Sequence, residues 1–436
     1  MTPLEVGFSG LGVLLILFMI RVPIGVALAG VSFAGIWIIR GDVPAIAILA
    51  NLPYDFVSHW TLSAVPMFLF MGAIAAHTGL TASLYAALRL WVGAVPGGLA
   101  VATNFAGAGF AAASGSSLAT TAAMGRIAVP EMLRLKYDPG LATGTAAAVG
   151  TLGALIPPSI TMVIYAVFAE VSVAKMLLAG LIPGLLTAAA YALLIVIRCS
   201  LNPKLAPRIE FSQVTWAERF AVLKPVWPLP VLVIGVVGGI YSGIVTATEA
   251  GAFGVLLAIL VSLVQRTLTR RALRESVLEA VRVTATIFFV AIGASLFTTF
   301  LALSQIPGFL SDAVVGWTDD PLMVILICTV IYIVLGCFLD AIGVLLLTLP
   351  ILLPIFDAVQ IDPIWIGVIL VKYLEIGLLT PPVGLNVFVM KSVVGDEVPL
   401  LTIFKGVSWF LLAEIVVMLI LIFVPQVILY LPSTIQ

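Results

Sequence analysis

Apolar stretches of roughly 15 to 30 residues recur along the whole chain, separated by short polar or proline-containing segments. At about 20 residues per crossing, they predict roughly ten to twelve membrane-spanning segments. Two stretches are interrupted alike, at Gly153-Ala-Leu-Ile-Pro-Pro158 and, 224 residues later, at Gly377-Leu-Leu-Thr-Pro-Pro382. A further proline precedes each pair by 27 residues, at Pro130 and Pro354. The chain therefore contains a repeat, and two adjacent prolines break a helix in each copy.

A helix broken at membrane depth frees backbone carbonyl and amide groups, which are tolerated only where they line a polar site. Breaks at corresponding places of two hydrophobic halves are typical of secondary transporters. The pattern predicts an all-α polytopic membrane protein with Pro-Pro-broken helices at 139–168 and 363–391 and re-entrant helical hairpins at 112–130 and 336–354. The other predicted helices cover 5–40, 62–78, 80–94, 97–111, 173–198, 226–240, 244–264, 283–302, 305–318, 321–335 and 404–430.

Composition supports a membrane location. Hydrophobic residues make up 62% of the chain and charged residues 9%, whereas soluble domains are about 25% charged. The net charge of −1 gives no sign of a nucleic-acid partner. Half of the 20 Lys and Arg residues fall in two segments, which the positive-inside rule assigns to the cytoplasm. These residues are Arg198, Lys204, Arg208, Arg219 and Lys224, then Arg266, Arg270, Arg271, Arg274 and Arg282.

Charge also predicts the direction of each broken helix. The first begins beside Arg134 and Lys136, whereas the second begins after Asp357 and Asp362 and ends at Lys391. The two helices should therefore run in opposite directions, which makes the repeat an inverted one. This result requires the segment 305–318 to cross the membrane; if that segment lies flat, the number of crossings favours a parallel repeat.

Polar positions within the apolar stretches are candidate site residues, because burying them unpaired is costly. Asp340 lies near the tip of the second hairpin, where it could bind a ligand, cap the following helix, or do both. The first hairpin carries a hydroxyl cluster in the segment 113–121. Oxygen ligands suit sodium and helix N-termini suit a carboxylate, so the hairpins predict a site for a cation and an anion. The alternative is that these small residues serve close helix packing.

Other polar residues suggest structural roles. Lys372 and Glu375 are spaced to pair on one helix face, although Glu375 could instead handle protons. Glu249 should cap the start of an apolar helix. The only histidines, His59 and His77, belong to no motif for metal hydrolysis or nucleophilic catalysis. The sequence thus predicts that the protein is not an enzyme.

Four motifs carry a family resemblance: Arg126-Ile-Ala-Val-Pro-Glu131, Gly150-Thr-Leu-Gly-Ala-Leu-Ile-Pro-Pro-Ser159, Gly336-Cys-Phe-Leu-Asp340 and Ile376-Gly-Leu-Leu-Thr-Pro-Pro-Val-Gly-Leu-Asn386. They resemble the large membrane (permease) subunit of tripartite ATP-independent periplasmic (TRAP) transporters over essentially the whole chain. The resemblance implies an inverted-repeat, elevator-type importer of organic acids, such as a C4-dicarboxylate or sialic acid, in the bacterial inner membrane. It implies sodium coupling without an organic cofactor, and two partners: a small TRAP membrane subunit and a periplasmic substrate-binding protein.

The same resemblance implies the site residues. The first sodium site would comprise Ser114, Gly115, Ser117, Gly153, Ile156 and Pro157. The second would comprise Asp340, Gly343, Gly377, Thr380 and Pro381. Substrate would contact Ser116, Ser117, Thr120, Asp340 and Asn386. After Asp340 the family commonly has a proline and a small hydroxyl residue, where this chain has Ala341-Ile342-Gly343. Backbone carbonyls would therefore supply most of the second site.

The resemblance also implies a division of the chain into functional parts. The parts are scaffold and first transport-domain helices (1–111), the first half of the transport core (112–198), basic cytoplasmic loops and scaffold helices (199–282), second-repeat helices (283–335), the second half of the transport core (336–391) and a C-terminal helix (392–436). Two alternatives remain open. One is a stand-alone sodium- or proton-coupled carboxylate symporter, and the other is a proton-translocating subunit of a membrane enzyme complex.

Overall fold

Helices account for the regular structure of the chain. The computed structural model describes residues 1–207, 215–318 and 320–435, and these ranges contain no β-strand. The helices of the first half are α1 (Pro3–Met19), α2 (Ile24–Arg40), α3 (Asp42–Val57), α4 (Ala64–His77), α5 (Leu80–Val92), α6 (Gly98–Ser114), α7 (Ser117–Ile127), α8 (Val129–Arg134), α9 (Pro139–Gly150), α10 (Ile160–Phe168), α11 (Val173–Ala179) and α12 (Leu181–Leu201).

The second half continues the same pattern. Its helices are α13 (Trp216–Ala221), α14 (Pro228–Val233), α15 (Gly239–Tyr241), α16 (Ala247–Val264), α17 (Arg270–Ser304), α18 (Ile306–Val315), α19 (Pro321–Gly336), α20 (Ala341–Ala358), α21 (Pro363–Gly377), α22 (Leu385–Val394), α23 (Leu400–Phe423) and α24 (Gln426–Ser433). Six helices in the described ranges are long and apolar enough to cross a membrane, or seven if the bent pair Trp216–Val226 and Pro228–Tyr241 forms one span. Full-length spans are fewer than predicted because each broken helix consists of two short pieces, and because α1, α2 and α19 have only 17, 17 and 16 residues.

The helix predicted at 5–40 is in fact two helices, α1 and α2. The chain turns between them at Arg21, whose φ is +64°, and Pro23 then precedes the first residue of α2. Proline lacks the amide hydrogen that would continue the first helix, so a new helix begins after it. Helix α3 was not predicted at all.

Each hairpin is larger than predicted. The first consists of α6 and α7, with its tip at Gly115-Ser116, and Met124 of one arm packs against Gly107 of the other. The second consists of α19 and α20, where the Tyr332 and Thr348 hydroxyls lie 2.6 Å apart. The hairpins predicted at 112–130 and 336–354 therefore begin too late. The stretches 97–111 and 321–335, predicted as separate helices, are their first arms, because an apolar arm cannot be distinguished from a spanning helix by hydropathy alone.

The two broken helices occur where the prolines predict them. The first consists of α9, a 3-10 turn at Thr151–Ala154 and α10, and the second of α21 and α22. The Tyr165 hydroxyl, near the end of the first, donates a hydrogen bond of 2.5 Å to the Pro363 carbonyl at the start of the second. Helix α9 likewise contacts α22. The beginning of each broken helix thus packs beside the end of the other, so the repeat is inverted.

This packing removes the dependence of the inverted repeat on the segment 305–318. Helix α18 has 10 residues and rises only about 15 Å, too little for a hydrocarbon core of about 30 Å. The condition that this segment crosses the membrane is therefore not met by α18 alone. The stretch 321–335 is a hairpin arm and does not cross either. With both segments removed, the number of crossings between the two broken helices stays even, so the count still places these helices in opposite directions.

The second basic segment is mostly helical. Thr269 caps the start of α17 by accepting a hydrogen bond of 3.0 Å from the Ala272 amide, and the helix then runs for 35 residues. Arg270, Arg271, Arg274 and Arg282 therefore belong to a helix that packs along α2 and α4. Arg208, of the first basic segment, lies outside the described residues.

Candidate functional site

The two hairpin tips line one cavity of about 400 Å³. The first tip contributes Gly115 to Leu118 and the second contributes Asp340 to Ile342. Both broken helices also reach the cavity, with Ile160 and Thr161 from the first and Glu375, Leu378 and Leu385 from the second. Helix α17 closes another side with Arg282, Val283, Thr286 and Ile287. Both halves of the repeat therefore line this cavity.

Four helices begin at this cavity. Residues of the first turn of α7, α10, α20 and α22 line its wall. A helix N-terminus carries unpaired amide groups and a partial positive charge of about half a unit. Arg282 is the one basic side chain among the described lining residues. The cavity is therefore suited to bind an anion.

The two tips are capped by equivalent residues. Ser116 accepts a hydrogen bond of 3.4 Å from the Ala119 amide, and Asp340 accepts one of 2.9 Å from the Gly343 amide. The two caps lie 224 residues apart, the same separation as the Pro-Pro pairs. Asp340 therefore caps α20 and also lines the cavity, and its role as a ligand stays a prediction.

Of the residues predicted for the first sodium site, Gly115, Ser117 and Gly153 lie where the first hairpin tip meets the first break. The first tip packs against the first break: the Ile160 amide donates to the Gly115 carbonyl at 3.4 Å. A Cβ atom added at Gly153 would lie 2.6 Å from the Ser116 carbonyl oxygen, so only glycine permits this approach. The carbonyl groups of Gly115 and Ser116 therefore lie at this contact, and oxygen atoms of this kind are the ligands that hard cations prefer.

The second predicted sodium site is less closely assembled. The second break packs against the hairpin at Gly377, where an added Cβ would lie 2.7 Å from the Gly336 Cα. Thr380 donates its hydroxyl to the Ile376 carbonyl at 2.7 Å. Asp340 and Gly343 are joined to each other by the cap hydrogen bond. The second break thus contacts the arm of the hairpin before the tip.

Two predicted substrate contacts are absent from the lining. Thr120 is buried, and its hydroxyl donates to the Ser116 carbonyl at 2.8 Å. Asn386 is also buried, and its amide nitrogen lies near Gly150, where an added Cβ would be 3.1 Å away. Ser116, Ser117 and Asp340 do line the cavity. Position along a helix does not reveal which side of it faces the cavity.

The predicted pairing of Lys372 with Glu375 is wrong. Lys372 Nζ lies 2.5 Å from Glu414 Oε2 on α23, and both side chains are buried. Glu375 accepts a hydrogen bond of 2.6 Å from the Ser117 hydroxyl. The spacing on α21 permits Lys372 to pair with Glu375, but the Lys372 ammonium lies closer to the Glu414 carboxylate on a neighbouring helix. The predicted cap at Glu249 is confirmed, since its carboxylate accepts from the Thr246 amide at 2.8 Å.

Arg282 lines the cavity, although the positive-inside rule places it in a cytoplasmic segment. The signal that could have found it is the spacing of Glu279, Arg282 and Thr286, three or four residues apart within a continuous helix. Such spacing puts them on neighbouring positions of one helical face. A helix predicted to begin only at residue 283 conceals this pattern.

A helical membrane protein in which two hairpins and two antiparallel broken helices surround one polar site has the architecture of a secondary transporter. Comparison with known proteins identifies the family. The family profile described as "Tripartite ATP-independent periplasmic transporter, DctM component" matches residues 11–427. The chain belongs to this family of TRAP transporter large permeases, whose members are transport subunits of the inner membrane and not enzymes.

Individual relatives agree with the family match. The chain is 38% identical to the C4-dicarboxylate TRAP transporter large permease protein DctM of Pseudomonas aeruginosa, over 88% of this chain and 89% of that protein. It is 32% identical to the sialic acid TRAP transporter large permease protein SiaM of Vibrio cholerae, over 94% and 95%. Among solved structures, the YdaH transporter of Alcanivorax borkumensis aligns with a TM-score of 0.59, covering 88% and 90% at 16% identity, which indicates a shared fold.

Proposed function

We propose that this chain is the permease subunit of a sodium-coupled importer of an organic acid anion, with substrate bound between the two hairpin tips. The observation that carries the proposal is the convergence of four helix N-termini and Arg282 on one cavity of about 400 Å³. The positive ends of helix dipoles, fixed by the fold, favour an anionic group. Two relatives are named for C4-dicarboxylate and for sialic acid, and both of these compounds contain carboxylate groups.

The other charges of the wall support coupling to a cation. Asp340 and Glu375 both line the cavity, and two carboxylates beside an anionic substrate repel it. A bound monovalent cation at each tip would offset that repulsion. The predicted sodium sites, at the contacts of each hairpin with its break, provide oxygen ligands for this purpose.

The mechanism that we propose is an elevator movement. The hairpins and broken helices would form the moving part, and α17, together with α2 and α4, would belong to the scaffold. In this division Arg282 is a scaffold residue that meets substrate when the cavity lies beside it. A small membrane subunit would pack on the scaffold, and a periplasmic binding protein would deliver substrate.

Uptake into proteoliposomes tests the proposal. Labelled succinate and labelled sialic acid would be offered to this chain alone, and to this chain with its small membrane subunit and binding protein, under inward sodium or inward potassium. Uptake that needs all three components and sodium supports the proposal. Sodium-driven uptake by this chain alone would instead make it a self-sufficient symporter, and equal uptake in potassium would refute sodium coupling.

Arg282 provides a sharper test of the anion site. A charge-assisted hydrogen bond contributes about 1.5–3 kcal/mol, so Arg282→Gln should lower kcat/KM for uptake by about 10- to 150-fold. The matched control is Arg274→Gln, which removes the same charge from the same helix at a position that does not line the cavity. An equal effect of the two changes would show that general charge on α17, and not contact with substrate, matters.

A further inference from the structure

One basic and two acidic side chains lie fully buried close to the cavity, and one of the acidic pair, Glu375, lines it. Lys372, Glu375 and Glu414 are each at most 1% exposed. Their formal charges are one positive and two negative, so the group carries one uncompensated negative charge if all are ionised. Charge buried at membrane depth without compensation is costly. A further cation close to this group would remove the imbalance.

The Lys372 ammonium pairs with Glu414 and not with Glu375. Its ammonium lies 2.5 Å from Glu414 and also donates to the Thr187 hydroxyl at 3.0 Å. The Tyr191 hydroxyl donates to the other oxygen of Glu414. This pair is therefore compensated on both sides. Glu375, in contrast, has no basic side chain within 4 Å among the described residues.

The contact that Glu375 does make leads to the first hairpin tip. The Ser117 hydroxyl donates its hydrogen to Glu375 at 2.6 Å. Because that hydrogen is engaged, the lone pairs of the Ser117 oxygen remain free to face a cation. Ser117 lies against the first break, where a Cβ added at Gly153 would be 2.9 Å from the Ser117 amide nitrogen. A cation held at this contact would be one hydroxyl away from the Glu375 carboxylate.

A comparison of the two halves of the repeat explains why a carboxylate near the first hairpin tip belongs to the second half of the chain. Asp340, at the second tip, occupies the position equivalent to Ser116, at the first, 224 residues earlier. The second tip thus has its own carboxylate, whereas the first has only hydroxyl side chains. The position equivalent to Glu375 in the first half is Thr151, a neutral residue that donates to the Ala148 carbonyl at 2.7 Å. Each tip is therefore provided with one carboxylate, but the first tip receives it from the second broken helix.

We propose that Glu375 is the fixed countercharge for a sodium ion held at the first hairpin tip, acting through Ser117 as the intervening ligand. This inference rests on the proposed sodium coupling. Glu375 is a positioning residue in this arrangement: its carboxylate holds the Ser117 hydroxyl with its lone pairs toward the ion and balances the ion's charge from the second coordination sphere.

The experiment measures sodium binding directly on the purified full chain in detergent. Sodium that binds only the folded state raises the thermal unfolding midpoint, so a titration of sodium chloride against choline chloride at constant ionic strength gives a half-saturation concentration. Glu375→Gln keeps the shape and an acceptor for Ser117 but removes the charge. We expect its half-saturation concentration for sodium to rise at least tenfold. The matched control, Glu249→Gln, removes a carboxylate from a helix start away from the cavity and should shift it less than twofold.

A second comparison separates this role from a general effect on folding. If Ser117 and Glu375 act on the same ion, the rise caused by Ser117→Ala with Glu375→Gln should be much smaller than the product of the two single effects. If Glu375→Gln does not fold, Glu375→Asp replaces it, with an expected rise of at least threefold because the shorter side chain withdraws from Ser117.

The outcomes distinguish this inference from the proposed function. A wild-type chain that sodium fails to stabilise would overturn the sodium coupling, and the inference with it. A wild-type chain that sodium stabilises, with an unchanged half-saturation concentration in Glu375→Gln or in its Asp replacement, would overturn the inference alone.

Discussion

The buried pair of Lys372 and Glu414 gives the sharpest prediction about stability. The ammonium and carboxylate are 2.5 Å apart, and the two side chains are 0% and 1% exposed. Removing one partner of a buried pair leaves an uncompensated charge, which costs about 3–5 kcal/mol. Lys372→Met should leave Glu414 unpaired, and Glu414→Gln should leave Lys372 unpaired. Each single change should therefore lower the free energy of unfolding by about 3–5 kcal/mol.

The double variant distinguishes this explanation from lost packing. Lys372→Met with Glu414→Gln leaves no buried charge at the pair, and both substitutions nearly preserve side-chain volume. The glutamine can still accept a hydrogen bond from Tyr191, which now donates to Glu414. The double variant should therefore be more stable than either single variant.

Equilibrium unfolding in mixed micelles, followed by tryptophan fluorescence, measures the three free energies of unfolding. A double-mutant cycle then gives the coupling between the two side chains. Additive losses in the double variant would refute the reasoning, because they would show that the two residues contribute independently and that their charges are not coupled.

Further predictions concern the first break and the topology. Gly153→Ala should raise the sodium concentration for half-maximal uptake, because its Cβ would lie 2.6 Å from the Ser116 carbonyl oxygen, whereas Gly30→Ala, with no atom within 4 Å, should leave it unchanged. If the sodium concentration for half-maximal uptake were the same in Gly153→Ala and in Gly30→Ala, the contact of Gly153 with Ser116 would not belong to the ion site. A cysteine placed at Asp357 should be labelled from outside intact cells, and one at Arg271 only after permeabilisation. The reverse labelling would overturn the topology.

Much of the fold follows from local pattern. Two prolines side by side deny a helix its backbone hydrogen bonds wherever they occur, so the breaks at 157 and 381 could be placed from the sequence. Their equal separation from other prolines revealed the repeat, and charge at the ends of the broken helices gave its inverted direction. Asp340 was recognisable because a carboxylate is rare within so apolar a chain.

The structure was needed wherever two distant segments meet. Hydropathy could not show that Pro321–Gly336 is a hairpin arm, because lipid and protein surroundings select the same apolar residues. Spacing on α21 allowed Lys372 to pair with Glu375, but packing of α23 brought Glu414 closer to the ammonium. That Arg282 lines the cavity became clear only from the structure, which places α17 beside the hairpin tips. Sequence determines which residues share a helix, whereas tertiary packing decides which side chains of different helices come within bonding distance.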